Sequence, residues 1–199
     1  MASDTRGQDY ADRLNRLQGK RWKKILHVQF PWKLHLRHLA LGRTLDVGCG
    51  NGRNLHYLDA RSVGVDHNPF SVQSARDSGV AAHTDAAFFA DPELSAPGAF
   101  DSMLVSHVVE HLTPDDARTV IRSYLPSIAD GGRVVLITPQ ERGYASDPTH
   151  VAFSDFTALR HLADDLALMV EKQYSFPFPR FMGRPFIYNE FVLLARVPG

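Results

Sequence analysis

The chain has 199 residues, 44% apolar and 22% charged, with 22 basic and 22 acidic side chains that cancel. That length supports one domain with a full core, and zero net charge argues against a general nucleic-acid binder. A single cysteine excludes an intramolecular disulfide; no run approaches the ~18 apolar residues of a membrane span, and no apolar signal core opens the chain, so a reduced, cytoplasmic setting is expected.

Charge is nonetheless segregated. Nine Lys or Arg (Arg13, Arg16, Lys20, Arg21, Lys23, Lys24, Lys33, Arg37, Arg43) precede Leu45 with no Asp or Glu from Arg13 onward, leaving 13 basic against 22 acidic side chains elsewhere. Leu14, Leu17, Trp22, Ile25, Leu26, Phe30, Trp32, Leu36 and Leu39 alternate with these charges, and Pro31 interrupts them, so the stretch reads as two short helical pieces. Residues 1–42 form a basic N-terminal arm and 43–199 a domain. Most arm charges read as a solvated face packed on an acidic body.

The domain opens with Leu45-Asp46-Val47-Gly48-Cys49-Gly50-Asn51-Gly52-Arg53-Asn54-Leu55. A short apolar strand runs into three glycines at alternate positions, where side chains would block a ligand from the backbone and forbid positive φ angles. Asn51–Leu58 is expected to be the first crossover helix. The next strand, Ser62–Asp66, places Asp66 about 20 residues beyond the first, where a carboxylate accepts from both hydroxyls of a ribose. Cys49, between glycines and without an adjacent acid–base partner, reads as a small filler rather than a nucleophile.

Asn68-Pro69 opens a helix over 70–77, and Val80–Thr84 is a third short strand. Phe100–Ser106 is nearly all apolar, as in a parallel strand covered on both faces. Thr113-Pro114-Asp115-Asp116 is a helix start, with a capping hydroxyl, a first-turn proline and two acids at the positive end of the dipole. Its apolar stripe continues to Ile128, Asp130-Gly131-Gly132 ends it, and Arg133–Thr138 is the fifth strand. Ser154-Asp155-Phe156 starts another helix. Leu168–Phe176 and Phe186–Val197 read as the last strands, separated by Pro177–Pro185, too proline-rich for a regular element.

The groups suited to chemistry gather after the fourth strand, in Ser106-His107-Val108-Val109-Glu110-His111. His107, Glu110 and His111 fall at i, i+3 and i+4, on one side of a helical turn. Asp147-Pro148-Thr149-His150 adds polar groups after the fifth strand.

The segments LDVGCGNGRNL, VGVDHNP, FDSMLVSHVVEHL and GGRVVLITP resemble the ordered motifs of class I S-adenosylmethionine-dependent methyltransferases. The resemblance implies an α/β, Rossmann-like fold with a seven-stranded, mostly parallel sheet, a reversed C-terminal hairpin and helices on both faces. It places Asp46 at the methionine moiety, Asp66 at the ribose and Asp85 at the adenine amino group, with Gly48, Cys49, Gly50, His67, Ala86 and Ser106 around them. Arg21 is the arm residue expected at the cofactor carboxylate. In ubiquinone-biosynthesis O-methyltransferases, a segment similar to SHVVEH binds a divalent ion through Glu, Glu and His; here His107, Glu110 and His111 occupy those places. A neutral ligand at His107 in place of a carboxylate weakens the expectation of Mg2+, which prefers oxygen; Mg2+ or Mn2+ is the ion implied, and Asp147 or His150 would complete the set. The implied reaction is methyl transfer to a hydroxyl, with His111 or His150 as general base and Glu110 beside them.

Aromatic faces from Gln140–Tyr144, the 176–186 loop and Trp32 suit a small polar acceptor such as a sugar. The arm, the glycine turn and DPTH are also similar to small actinobacterial sugar O-methyltransferases, including those of methylmannose polysaccharide synthesis, which implies a mannoside hydroxyl. A homodimer is a further expectation. The alternative, methylation of a nitrogen or of nucleic acid through the basic arm, is disfavoured because SHVVEH stands where a base-stacking N-P-P-Y segment would be.

Overall fold

The computed structural model describes residues 30–199; most of the basic arm, Arg21 included, lies outside them. One seven-stranded sheet, in the order β3-β2-β1-β4-β5-β7-β6, organises the chain. Its strands are β1 (Thr44–Val47), β2 (Val63–Asp66), β3 (Ala82–Thr84), β4 (Phe100–Ser106), β5 (Ile128–Pro139), β6 (Met169–Phe176) and β7 (Glu190–Arg196). Strands β1 to β5 pair in parallel, while β7 runs antiparallel to both β5 and β6, so the expected reversed hairpin is present. Every residue of β1 and β2 is buried. No helix among the described residues is long and apolar enough to cross a membrane.

Helices α1 (Phe30–His38), α2 (Pro69–Asp77), α3 (Asp85–Ala90), α4 (Pro114–Tyr124), α5 (Glu141–Tyr144) and α6 (Phe156–Asp165) surround the sheet. On one face, Ala117, Ile121 and Tyr124 of α4 and Leu159, Leu162 and Ala163 of α6 join the core of Leu45, Met103, Val105, Leu136 and Leu193. On the other, Leu36 and Leu41 pack on Leu104, Val135, Ile137 and Val192. Caps fix the starts: Asn68 Oδ1 accepts from Phe70 and Ser71, Thr113 from Asp116, and Asp155 from Thr157 and Ala158.

Local backbone chemistry corrects four expectations. The helix over Asn51–Leu58 reduces to a single 3-10 turn, Leu55–Tyr57, because Gly52 takes φ +79° and breaks any right-handed run before Arg53. α4 stops at Tyr124 and passes into a single 3-10 turn, Leu125–Ser127, because Pro126 has no N–H to extend the helical ladder. Asp130-Gly131-Gly132 therefore lies within β5; pairing jumps from Phe100↔Ile128 to Ser102↔Arg133, with Gly131 at φ +70° in the bulge. Pro31 itself stands in the first turn of α1, where its missing N–H costs no hydrogen bond. The last strand begins at Glu190 rather than Phe186, because Asn189 is engaged by the preceding loop: its Oδ1 accepts from Phe178 N and its Nδ2 donates to Gln140 Oε1.

Candidate functional site

The carboxyl ends of β1 and β4 are neighbours, Val47 opposite Val105, so the glycine turn and the His107 loop meet at one sheet edge. Gly48, Gly50 and Gly52 adopt φ of +73°, +56° and +79°, the left-handed geometry the alternating glycines predict. The amides of Gly48 and Cys49 both donate to Val65 O, at 2.8 and 3.0 Å. A Cβ on Gly48 would overlap Val108 Cγ2; the two loops touch at that point.

The carboxylates stand around this turn. Asp46 is 1% exposed, and neither of its oxygens has a well-formed hydrogen bond; burial pushes its pKa up to about 7, opposed by Arg53 and Asn54. A buried acceptor without donors is the environment a cationic or N–H-bearing ligand would complete. Asp66 is braced by the chain itself: Oδ2 accepts from Gly50 N at 2.9 Å and Oδ1 from Asn68 N at 2.8 Å. Burial raises its pKa against those bonds and His67, whose Nδ1 is 3.6 Å away. Asp85 is the first residue of α3, and its Oδ1 accepts from Tyr124 OH at 2.6 Å; Ala86 follows, exposed, and Ser106 is half-buried at the end of β4. Cys49 packs its thiol into the core beside Leu55 and Val72, and burial drives its pKa far up, so it contributes backbone rather than reactivity.

Beyond the turn, Glu110, His111 and His150 come together, one ligating atom from each lying within 4.8 Å of the others. The two rings sit 4.8 Å apart between centroids. His150 Nδ1 is 2.7 Å from Tyr144 O and His111 Nδ1 is 3.3 Å from Thr149 O. A carbonyl only accepts, so both Nδ1 atoms carry a proton, and in the neutral form of either ring Nε2 keeps its lone pair. Burial lowers the His111 pKa against the pull of Glu110, keeping that ring neutral. Asp147 Oδ1 accepts from Thr149 N and Thr149 Oγ1 and steers the loop rather than joining the donor set. Two further amides, Val151 and Ala152, donate to Glu110 O, stitching the His150 loop to the Glu110 turn.

His107 is not part of that donor set, contrary to the i, i+3, i+4 expectation. With φ at +59°, its backbone leaves the helical region, and its ring turns away. Nδ1 donates to Glu110 Oε1 at 3.1 Å and Nε2 to Glu190 Oε1 at 2.9 Å. Burial alone would lower the His107 pKa, but the two carboxylates overturn it and hold the ring as an imidazolium with a pKa of about 10. A doubly protonated ring has no lone pair for a metal. Its partner Glu190, 6% exposed, is missed by sequence reasoning; the available signal was a lone acid at the head of an apolar strand. Glu110 Oε2 and Glu190 Oε2 remain buried without partners.

Aromatic side chains stand next to Glu190. Phe176 is its register partner on β6; Trp32 meets Phe176 and Tyr188 edge-on at 5.8 and 6.4 Å, and His35 stacks on Phe176 at 4.1 Å.

A family model described as a methyltransferase domain matches residues 45–134. No curated protein sequence matches the chain. Magnesium protoporphyrin IX methyltransferase from Synechocystis PCC 6803, solved with bound SAH, is similar in structure with a TM-score of 0.68 at 17% identity, over 98% of this chain and 97% of that one. A SAM-dependent methyltransferase from Archaeoglobus fulgidus gives 0.60 at 17% identity, over 87% and 99%. An S-adenosylmethionine-dependent methyltransferase from Mesorhizobium loti gives 0.57 at 16%, over 81% and 95%. The chain therefore has the fold of the class I S-adenosylmethionine-dependent methyltransferases, and residues 45–134 match the model of a methyltransferase domain.

Proposed function

We propose that the protein transfers the methyl group of S-adenosylmethionine to a hydroxyl of a small polar acceptor, with a saccharide as the favoured class. The observation that carries the reading is the contact between the glycine turn and the His107 loop, which sets a donor cradle beside two imidazoles whose Nε2 lone pairs are free. Asp46 and the turn's backbone take the methionine end, and Asp66 takes the ribose. Displacement at a sulfonium needs alignment more than covalent help, but an alcohol must shed its proton. His111 and His150 are oriented to receive it through Nε2, with Glu110 alongside to stabilise the charge that forms. The unpartnered oxygens of Glu110 and Glu190 favour an acceptor rich in N–H or O–H donors, and Trp32 and Tyr188 offer faces for a ring.

The same donor set fits a divalent ion. Glu110, His111 and His150 would hold it, the fixed Nδ1–H bonds being the usual orientation of metal-ligating imidazoles. Two nitrogens and one carboxylate suit Mn2+ better than Mg2+. When bound, such an ion would lower the pKa of the acceptor hydroxyl.

The test is incubation with methyl-labelled S-adenosylmethionine and a panel of mannosides, glucosides, catechols and short polyols, with products sorted by mass. Transfer to a hydroxyl compound, reduced roughly 100-fold or more in His150→Ala with cofactor affinity within a few fold, is the expected result. Full turnover in His150→Ala would remove that ring from the reaction, and label on nitrogen acceptors only would replace the hydroxyl reading.

A further inference from the structure

We propose that Glu190 is a positioning residue: acting through His107, it holds the Glu110 carboxylate in place against the His111–His150 pair. The inference rests on reading those two histidines as the reacting pair.

Four observations connect the chain of contacts. Glu190 is fixed on both sides, paired with Pro139 of β5 and Phe176 of β6, so its carboxylate projects from an immobile backbone. His107 spans the gap between Glu190 and Glu110, with both ring nitrogens bonded. It does so from a left-handed backbone at φ +59°, a conformation unfavourable for a non-glycine residue and kept only where surrounding contacts over-determine it. Glu110 is fully buried in a single turn that lacks a side-chain cap, and His107 is the one partner its carboxylate has among the described residues. Finally, the Glu110 carbonyl accepts from Val151 and Ala152, immediately after His150. Movement of Glu110 is thereby transmitted to His111 through the chain and to His150 through those two bonds.

The alternative is that the bridge merely ties β7 to the β4 loop and contributes stability without shaping the reacting pair. The two roles separate in the histidine side-chain 15N–1H correlation spectrum of the full chain, which reads ring tautomers without turnover. It is recorded with and without S-adenosylhomocysteine, beside thermal melts of the same samples. The wild type should show His111 and His150 each protonated at Nδ1 alone. In Glu190→Gln and in His107→Gln those resonances should shift or split into tautomer mixtures while the chain remains folded. His111 and His150 signals superimposable on the wild type in both variants, however far the melting temperature falls, would overturn the proposal. If Glu190→Gln does not fold, Glu190→Asp is read by the same criterion, since it keeps the charge and shortens the reach by one methylene. Failure of the wild type to bind cofactor would sink the methyl-transfer reading instead, and the cofactor-free spectra would still decide this one.

Discussion

His107 Nε2 lies 2.9 Å from Glu190 Oε1, a contact between residues 83 apart in sequence. The ring is an imidazolium whose folded pKa is about 10 against 6.5 unfolded. Folding therefore favours the protonated form: the stabilisation is complete below pH 6.5 and is lost as pH rises through about 10. The wild-type melting temperature should fall between pH 7 and pH 10. His107→Gln, which leaves two buried carboxylates without their cation, should be destabilised by roughly 3 kcal/mol at pH 7, the low end for breaking a buried pair because part of the ring is exposed. Its own decline with pH should be shallower. Parallel melting curves for the two proteins across that range would contradict the bridge.

Asp46 gives a second pH dependence with a different cause. Its folded pKa is raised from 3.8 to about 7 by burial, so its contribution to the stability of the cofactor-free protein is complete below pH 3.8 and is lost as pH rises through about 7. Asp46→Asn should then melt a few degrees above the wild type at pH 8 without cofactor, and the advantage should shrink below about pH 7 and vanish below pH 3.8. The same variant should bind S-adenosylmethionine more weakly, because the anion proposed to take the methionine end of the charged donor is gone. A variant no more stable than the wild type at pH 8 would show that Asp46 is not held in an unfavourable ionised state.

Gly48→Ala meets two separable penalties. The left-handed φ of +73° costs about 1 kcal/mol or slightly more for alanine, and overlap with Val108 Cγ2 adds roughly 1–3 kcal/mol of overpacking. In chemical denaturation, Val108→Ala in the same chain should recover the second part and not the first. Strict additivity of the two substitutions would show that the loops do not press on each other there.

Removal of metal tests the donor set directly. Dialysis against a chelator should lower the transfer rate, and Mn2+ should restore it better than Mg2+, given two imidazoles and one carboxylate. A rate unchanged by chelation would leave His111 and His150 as proton acceptors alone.

Local chemistry explains what was legible in the sequence. The alternating glycines, the Thr113 and Asp155 caps and the apolar strands each constrain their own neighbourhood, and each appears where its residue type requires. The helix over 51–58 failed for an equally local reason: Gly52, whose positive φ serves the turn, cannot also continue a helix. His107 was misplaced because i, i+3, i+4 spacing speaks for ligands only where the backbone is helical, and at φ +59° it is not. Glu190 was out of reach of spacing arguments altogether. Its significance arises when β7 inserts between β5 and β6 and delivers a carboxylate to a loop that follows β4.

The most direct measurement is a calorimetric titration of the full chain with S-adenosylhomocysteine, for the wild type and Asp66→Asn. We expect one site per chain in the wild type, weakened at least about tenfold, or 1.4 kcal/mol, in the variant that loses the anionic acceptor bonded to Gly50 N and proposed for the ribose. A wild-type titration without heat at several temperatures, or equal affinity in the two proteins, would contradict a cofactor pocket at the glycine turn and the methyl transfer built on it.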